Sequence, residues 1–533
     1  MKISKYILLI LFFLPLLYFR DFTPNNELRY LSIADEACQH HRYFTFTNHS
    51  AVYADKPPLY FWLILAAKQV TGHHQMWLLS LFSLLPALII LYLMNRWVSP
   101  FVNSSYKQAG TLMLLTSGLF AGSAVVLRMD MLMCLFIVLA LYTFYRIYRG
   151  ENRLRYRLLL PVYIFLALFS KGPVGLIVPL VSIYVFLLLK KEGKKSGRYF
   201  GWLQWVILLL LCGLWFTGVY LEGGKTYLYN LLFHQTVDRA VNAFHHQRPF
   251  YYYLESYWYA LAPWSLFYIT VLFIGIRRKG LRTDLEKLFL TVILTTFVLL
   301  SVFSSKLAIY LLPTFPFFTY LSLLFLPGIP SKNLLFTVFI PALLLLLAFP
   351  GILLSSQYIS FQIPFSLKVS AFLLSLSAGL TLFFTYRKNI LKAVNSLAGG
   401  ILIALFFGSF ALPVINPYIG FKQISDKALQ IARQNGIDRF LFYKFRSGEN
   451  MDVYLHQEIR KASLSEIDRL KDFQDFILFI RNKDLLKNTE LRKLIAGKEI
   501  HMSGNYDIVI FKQQPDLRLP NDPPTPGITQ LTP

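Results

Sequence analysis

Charge is scarce in this chain. Asp, Glu, Lys and Arg make up 15% of its 533 residues and hydrophobic residues 55%, against the roughly 25% charged usual for soluble domains. A large soluble enzyme is excluded by that balance, and so is a disordered chain, because disorder requires low hydrophobicity. Cysteine is nearly absent: Cys38, Cys134 and Cys212 form an odd, scattered set that reads as free thiols, not a disulfide framework. Acids are outnumbered, 28 Asp+Glu against 53 Lys+Arg, for a formal charge of +25. Such an excess commonly marks nucleic-acid binding. Here the basic residues fall between long apolar runs, so they read as topology signals and no nucleic-acid partner is expected. GxGxxG, Walker A, CxxC and HExxH patterns are all missing, so no nucleotide cofactor is expected.

What the chain has in abundance is apolar length. Runs sufficient to cross a hydrocarbon core of about 30 Å recur near 5–20, 76–98, 108–126, 130–148, 157–170, 173–189, 200–220, 257–276, 286–303, 307–327, 333–354, 366–386 and 397–416. These thirteen runs predict a polytopic α-helical membrane protein over residues 1–416, with outer loops at 21–75 and 221–256. The first run lacks a small-x-small cleavage site after Tyr18-Phe19-Arg20-Asp21 and reads as a retained span.

Orientation follows from the basic residues, which short cytoplasmic loops retain. With the N-terminus cytoplasmic, one side collects Arg96 and Lys107; Arg146, Arg149, Arg153, Arg155 and Arg157; Lys190, Lys191, Lys194, Lys195 and Arg198; Arg277, Arg278, Lys279 and Arg282; Lys332; and Arg387, Lys388 and Lys392. The opposite loops carry acids: Glu27, Asp35, Glu36 and Asp55 in one, Glu222, Asp238 and Glu255 in another. The remaining chain is thereby expected outside the cytoplasm.

Composition changes sharply after 416. Ser425 is placed to cap a helix that stops at Gly436; strands are predicted at 439–443, 476–480 and 506–511, with helices at 463–470 and 485–495. The alternation predicts a small α/β domain over 417–513, followed by a Pro-rich, disordered tail at 514–533.

Candidate chemistry concentrates on the outer side. Thr23-Pro24 supplies a capping residue and a Pro for the start of a juxtamembrane helix, on which Asn26, Arg29 and Tyr30 share a face with Glu27 beside it. Asp55-Lys56-Pro57-Pro58 sets an acid and an amine before a rigid turn and the aromatic run Leu59-Tyr60-Phe61-Trp62. That segment suits the membrane surface, with Lys56 directed to a lipid phosphate; a simple headgroup anchor is the plainer alternative. Asp130, Lys171 and Lys306 lie at outer ends of spans, where positive-inside topology does not call for lysine; each alone could merely snorkel. Lys56, Lys171 and Lys306 together suit an anionic, phosphate-bearing lipid. The 221–256 loop adds His234 and Arg239, and His234 with Asp55 could hold a divalent metal ion, although with no close ligand spacing an ordinary polar-loop histidine is the plainer reading.

In order along the chain, N-E-L-R-Y, D-K-P-P-L-Y-F-W, R-M-D, S-K-G-P, H-Q-T-V-D-R with R-P-F-Y-Y-Y, A-P-W-S and S-K-L-A-I-Y-L-L-P resemble the aminoarabinose transferase (ArnT-like) family, within the GT-C membrane glycosyltransferases that include protein O-mannosyltransferases. The resemblance covers most of residues 1–325. It implies an inverting enzyme of the bacterial inner membrane that moves a sugar from a polyprenyl phosphate to lipid A or a related acceptor on the periplasmic side. By position it assigns Glu27, Arg29 and Tyr30 to the family's D-E-x-R-Y motif and Asp55 with Lys56 to its E-K-P. It likewise assigns Asp130 to the outer-end aspartate, Lys171 to K-G, His234 to the loop histidine, and Lys306 with Tyr310 to K-x-x-x-Y. The implied metal ligands are Asp55 and His234.

One departure is Asn26, where the family has an acid. An amide cannot serve as a general base, so a hydroxyl acceptor would need Glu27 or Asp130, whereas an ionised phosphate acceptor would need no strong base. Asp55 in place of Glu also shortens one implied metal ligand. Within the transferase class the alternative acceptor is a protein Ser/Thr or another envelope glycan. A lipid-linked sugar flippase is the alternative of another class, and it would require charges deep within spans, whereas these cluster at outer ends.

Overall fold

A computed structural model describes residues 3–151, 153–233, 248–355, 357–358 and 362–513. The chain separates into two compact units, Met1–Arg20 with Ile33–Val414, and Asp21–Ser32 with Ile415–Pro533. The tail at 514–533 lies outside the described residues.

The first unit is built of helices, and each of the thirteen apolar runs falls on helical structure. Eight helices are long and apolar enough to cross a membrane: Met76–Val98, Asp130–Tyr148, Trp202–Phe233, Asp284–Val302, Ala308–Gly328, Leu335–Ser355, Phe365–Tyr386 and Ile390–Ser409. Three bent pairs bring the number to 11 if each is one crossing. The expected thirteen is therefore not reached by length and composition among the described residues. The shortfall has two causes: Leu154–Lys171 carries Arg155, Arg157 and Lys171 within its 18 residues, and Val174–Leu189 is only 16 residues long.

Two of the bends meet each other. The run at 108–126 breaks by 71° between Ser104–Leu115 and Gly118–Val125, and the run at 257–276 by 113° between Tyr252–Ala260 and Ser265–Lys279. At the first break the Thr116 and Ser117 hydroxyls turn back to donate to Leu112 O at 2.7 Å and Met113 O at 2.9 Å, a contact that competes with the helical ladder. Trp264 Nε1 then donates to Thr116 Oγ1 at 2.9 Å, and Gly118 N to Ala262 O at 2.8 Å. The A-P-W-S motif thus serves packing: it closes one broken span onto another.

Strands β1 (Thr47–Asn48) and β2 (Ala51–Val52) form a short antiparallel hairpin. In the second unit β3 (Phe440–Phe442), β4 (Ile459–Lys461), β5 (Phe476–Arg481), β6 (Glu499–Ser503) and β7 (Tyr506–Phe511) make one sheet in the order β4-β3-β5-β7-β6. β3 runs parallel to β4 and β5, while β7 is antiparallel to β5 and β6. One face of this sheet packs Leu441, Tyr443, Leu478, Ile480 and Val509 against Ile467, Leu491 and Ile495. Each fully buried aliphatic side chain of this kind stabilises the fold by about 1.5–3 kcal/mol.

The central strands match the sequence pattern because their residues are mostly apolar, Arg481 and Asp507 being the charged exceptions in β5 and β7. The edge strands β4 and β6 were not expected: their charged, half-exposed residues break the alternation, as edges commonly do. Ser425 does not cap. It is buried inside Lys422–Asn435, which starts after Phe421 and ends at Gly436 in the left-handed region. The predicted helix at 485–495 is two, Asn482–Lys487 and Thr489–Ile495, because the Asn488 side chain accepts from Glu490 N and Leu491 N and starts a second helix.

Asp507, in β7, is buried, and its Oδ1 has no hydrogen-bond partner among the described residues. Burial pushes its carboxyl above the ordinary Asp value. A raised folded-state value favours the protonated form, so its contribution to stability is present at acidic pH and lost as pH rises through that value. Asp507→Asn is accordingly expected to increase hydrogen-exchange protection of Tyr506–Phe511 at neutral pH, with the gain vanishing on acidification. A pH-independent difference would refute this reading.

Candidate active site

Asp130 and Lys171 meet for a reason set by helix ends. Asp130 is the first residue of Asp130–Tyr148, where the helix dipole favours an anion, and Lys171 is the last residue of Leu154–Lys171, where it favours a cation. The two helices are packed neighbours. Gly172 stops the second helix with φ 108°, a conformation that favours glycine, and its N–H donates to Leu168 O at 2.7 Å. Asp130 is 1% exposed; its Oδ1 pairs with Lys171 Nζ and its Oδ2 accepts from Arg128 Nε at 3.1 Å. Lys171 Nζ also lies 4.6 Å from the centre of the Tyr310 ring, a cation–π distance.

Lys56 and Asp55 lie within electrostatic range of Lys171. They pair with each other, Nζ to Oδ2 at 2.8 Å, and Tyr53 OH approaches the same Asp55 oxygen at 3.4 Å. The helix Leu59–Thr71 begins after Pro58 and buries Tyr60 and Phe61, so the Pro-Pro turn sets where Lys56 stands before the helix start. The loop behind is latched twice. Tyr227 OH accepts from Phe46 N at 2.9 Å and donates to Tyr53 O at 2.8 Å, and Glu222 accepts from the Tyr43, Phe44 and Thr45 amides at 2.5–2.7 Å.

The structure therefore brings Asp55, Lys56, Asp130, Lys171 and Tyr310 together and adds Arg128, whose place two residues before Asp130 was the available signal. Lys306 stands differently. It is buried, and its Nζ donates to Arg248 O at 3.1 Å and Phe303 O at 2.5 Å, which makes it a holder of two backbone carbonyls. His234 and Arg239 lie outside the described residues. Other acids of the 21–75 segment do structural work: Asp35 Oδ1 pairs with Lys68 and His74, each at 2.8 Å, and Glu36 accepts from Thr47 Oγ1, His49 N and Ser50 N.

In the second unit, Pro24–Leu28 forms a turn of π-helix that continues into Arg29–Gln39. Thr23 precedes it but its side chain makes no capping bond; instead the fully buried Glu27 closes the turn, Oε2 accepting from Thr23 N at 2.7 Å. Tyr30 is buried, with the Arg29 guanidinium 5.7 Å from its ring centre. Asn26 is half-buried.

The donor set for a divalent ion is incomplete among the described residues. No three His, Cys, Asp or Glu side chains gather there, and the Asp55 carboxylate is engaged by Lys56. What this cluster can do with its own groups is hold an anion: the Lys56 and Lys171 ammoniums and the Arg128 guanidinium outnumber the two carboxylates that pair with them.

Residues 55–216 match the family model described as dolichyl-phosphate-mannose-protein mannosyltransferase. That stretch contains Asp55, Lys56, Arg128, Asp130 and Lys171. An uncharacterized protein of Aquifex aeolicus (strain VF5) is 23% identical over 432 residues, 80% of this chain and 81% of that protein. Among solved structures, the chain is similar to ArnT from Cupriavidus metallidurans bound to undecaprenyl phosphate, with a TM-score of 0.74 and 17% identity over 97% of this chain and 99% of that one. The apo state of the same protein gives 0.71 and 16%, over 96% and 99%. The chain has the ArnT-like GT-C fold, a multi-pass helical membrane protein with a small C-terminal sheet domain.

Proposed function

We propose that this protein is an inverting glycosyltransferase that moves a sugar, 4-amino-4-deoxy-L-arabinose in the nearest reading, from a polyprenyl phosphate to lipid A or a related envelope acceptor. The reaction is placed on the periplasmic face of the bacterial inner membrane, with the N-terminus cytoplasmic. The observation that carries the reading is the Asp130–Lys171–Arg128 cluster with Lys56 beside it, on a fold shared over its whole length with a protein that binds undecaprenyl phosphate. In such a transfer the acceptor oxygen forms a bond to the anomeric carbon as the bond to the donor phosphate breaks. Negative charge grows on the leaving phosphate, and Lys56, Lys171 and Arg128 stabilise it in place. Asp130 orients two of those cations. Arg29, Tyr30, Asn26, Lys306, Tyr310 and Arg239 belong to the substrate-binding set that the family resemblance implies.

An ionised phosphate acceptor needs no base. A hydroxyl acceptor gives up a proton, and Glu27 is the carboxylate assigned to take it. A protein Ser/Thr acceptor is the second reading, favoured by the match of residues 55–216 to a protein mannosyltransferase model. A divalent ion at Asp55 and His234 remains part of the proposal, with no step routed through it.

The test is transfer by the purified protein in nanodiscs, from synthetic undecaprenyl-phosphate aminoarabinose to lipid A, read by mass spectrometry with and without chelator. The expected result is a lipid A gain of one aminopentose and its loss in Lys56→Ala; sensitivity to chelator would support the metal. Transfer only to peptide or another glycan selects the second reading. Translocation of the donor across the bilayer of sealed proteoliposomes, without transfer to any acceptor, would sink both in favour of a flippase.

A further inference from the structure

Residues 21–32, which carry Asn26, Glu27, Arg29 and Tyr30, fold into the same compact unit as the C-terminal sheet domain, and one loop of that domain grips them. The loop is itself stiff. Beyond β3 the chain passes Ser447, a non-glycine residue at φ 62°, and Gly448, where a Cβ would lie 2.5 Å from the Phe442 ring. Asn450 and Met451 follow, both fully buried. From this base Asn450 Nδ2 donates to Pro24 O at 3.0 Å and Ser447 Oγ to Asn25 Oδ1 at 2.6 Å. On the other flank Asp452 Oδ2 accepts from Ser32 Oγ at 2.6 Å, while its Oδ1 accepts from Val453 N at 2.8 Å and so fixes the carboxylate's own direction. Phe22 packs near Tyr454, ring centres 6.5 Å apart.

The contacts bracket N-E-L-R-Y: two before it and one after, all from residues 447–452. A surface domain that only added stability would have no need to meet both ends of one five-residue motif. We propose that loop 447–452 is a positioning clamp, through which the C-terminal domain fixes the place of Glu27 for turnover. Asn450 and Asp452 are its positioning residues, acting through Glu27 and touching no substrate. The proposal rests on the transferase reading of Glu27. Its physical basis is that a misplacement of about 1 Å can cost about 100-fold in rate.

The test is a cycle on the full-length protein in nanodiscs, with the donor and acceptor that support transfer: wild type, Asp452→Ala, Glu27→Gln and the double variant. Asp452→Ala is expected to lower kcat by about 100-fold with donor KM nearly unchanged, and to add nothing on the Glu27→Gln background. Asp452→Asn, which keeps an oxygen for the Ser32 hydroxyl, is expected to restore most of the rate. Ser447→Ala, a milder change, is expected to give a smaller loss of the same kind and serves if Asp452→Ala does not fold. Equal losses on both backgrounds, or a raised KM with kcat intact, would overturn the clamp. So would wild-type kcat in Asp452→Ala and Ser447→Ala alongside a defective Glu27→Gln. Wild-type turnover by Glu27→Gln on both lipid A and a Ser/Thr peptide would instead overturn the reading of Glu27, and the clamp with it.

Discussion

Lys171→Met is expected to reduce transfer by about 100- to 1000-fold, the loss seen when one pre-set donor to a developing anion is removed, mainly in kcat. The reason is place as well as charge: Lys171 ends its helix against a buried carboxylate and beneath the Tyr310 ring, so its ammonium is held where it is wanted before substrate arrives. The partner variant separates chemistry from stability. Asp130→Ala strands a buried ammonium, and breaking a buried pair from one side costs about 3–5 kcal/mol, so that variant should lose both fold stability and activity. Asp130→Asn combined with Lys171→Met removes both charges, and thermal unfolding in nanodiscs should return near wild type while transfer stays absent. Recovery of transfer in that double variant would show the pair to be structural.

Glu27→Gln is expected to discriminate between acceptors. With a hydroxyl acceptor the loss of a general base should lower kcat by about 100- to 10,000-fold; with an acceptor that is already an ionised phosphate the loss should be much smaller. Gln preserves an oxygen for the Thr23 amide that Glu27 now occupies, so the turn at Pro24–Leu28 should persist. Parallel kcat measurements with lipid A and with a Ser/Thr peptide decide between the two. Equal kcat for wild type and variant on both acceptors would remove Glu27 from the chemistry.

Much of this molecule is legible in its residues because the governing signals are local. A bilayer demands apolar length and internally satisfied backbone, so Met76–Val98 and Asp130–Tyr148 can be read to the residue. β5 and β7 announce themselves by the apolar runs 476–480 and 508–511, whereas β4 and β6 have none, because edge strands carry charge. Thr116 and Ser117 broke a span without any Pro or Gly between them, through hydroxyls that bond back to the helix, and composition alone does not separate that from a straight helix.

The sequence by itself determined the membrane class, the positions of the helices, the presence of a small α/β domain and the motifs from which a candidate site could be drawn. Only the tertiary structure decided which of those residues meet. Lys171 and Asp130, 41 positions apart, pair because two neighbouring helices bring the lysine at one C-terminus to the aspartate at the other's N-terminus. Lys306 looks alike on paper but spends its ammonium on the Arg248 and Phe303 carbonyls. Ser32 and Asp452 join across 420 positions and draw the N-E-L-R-Y segment into the C-terminal unit. Apolar periodicity records what each segment turns toward lipid or core; it holds no information on distances between segments, which are set by how the packed helices and the sheet share their neighbours.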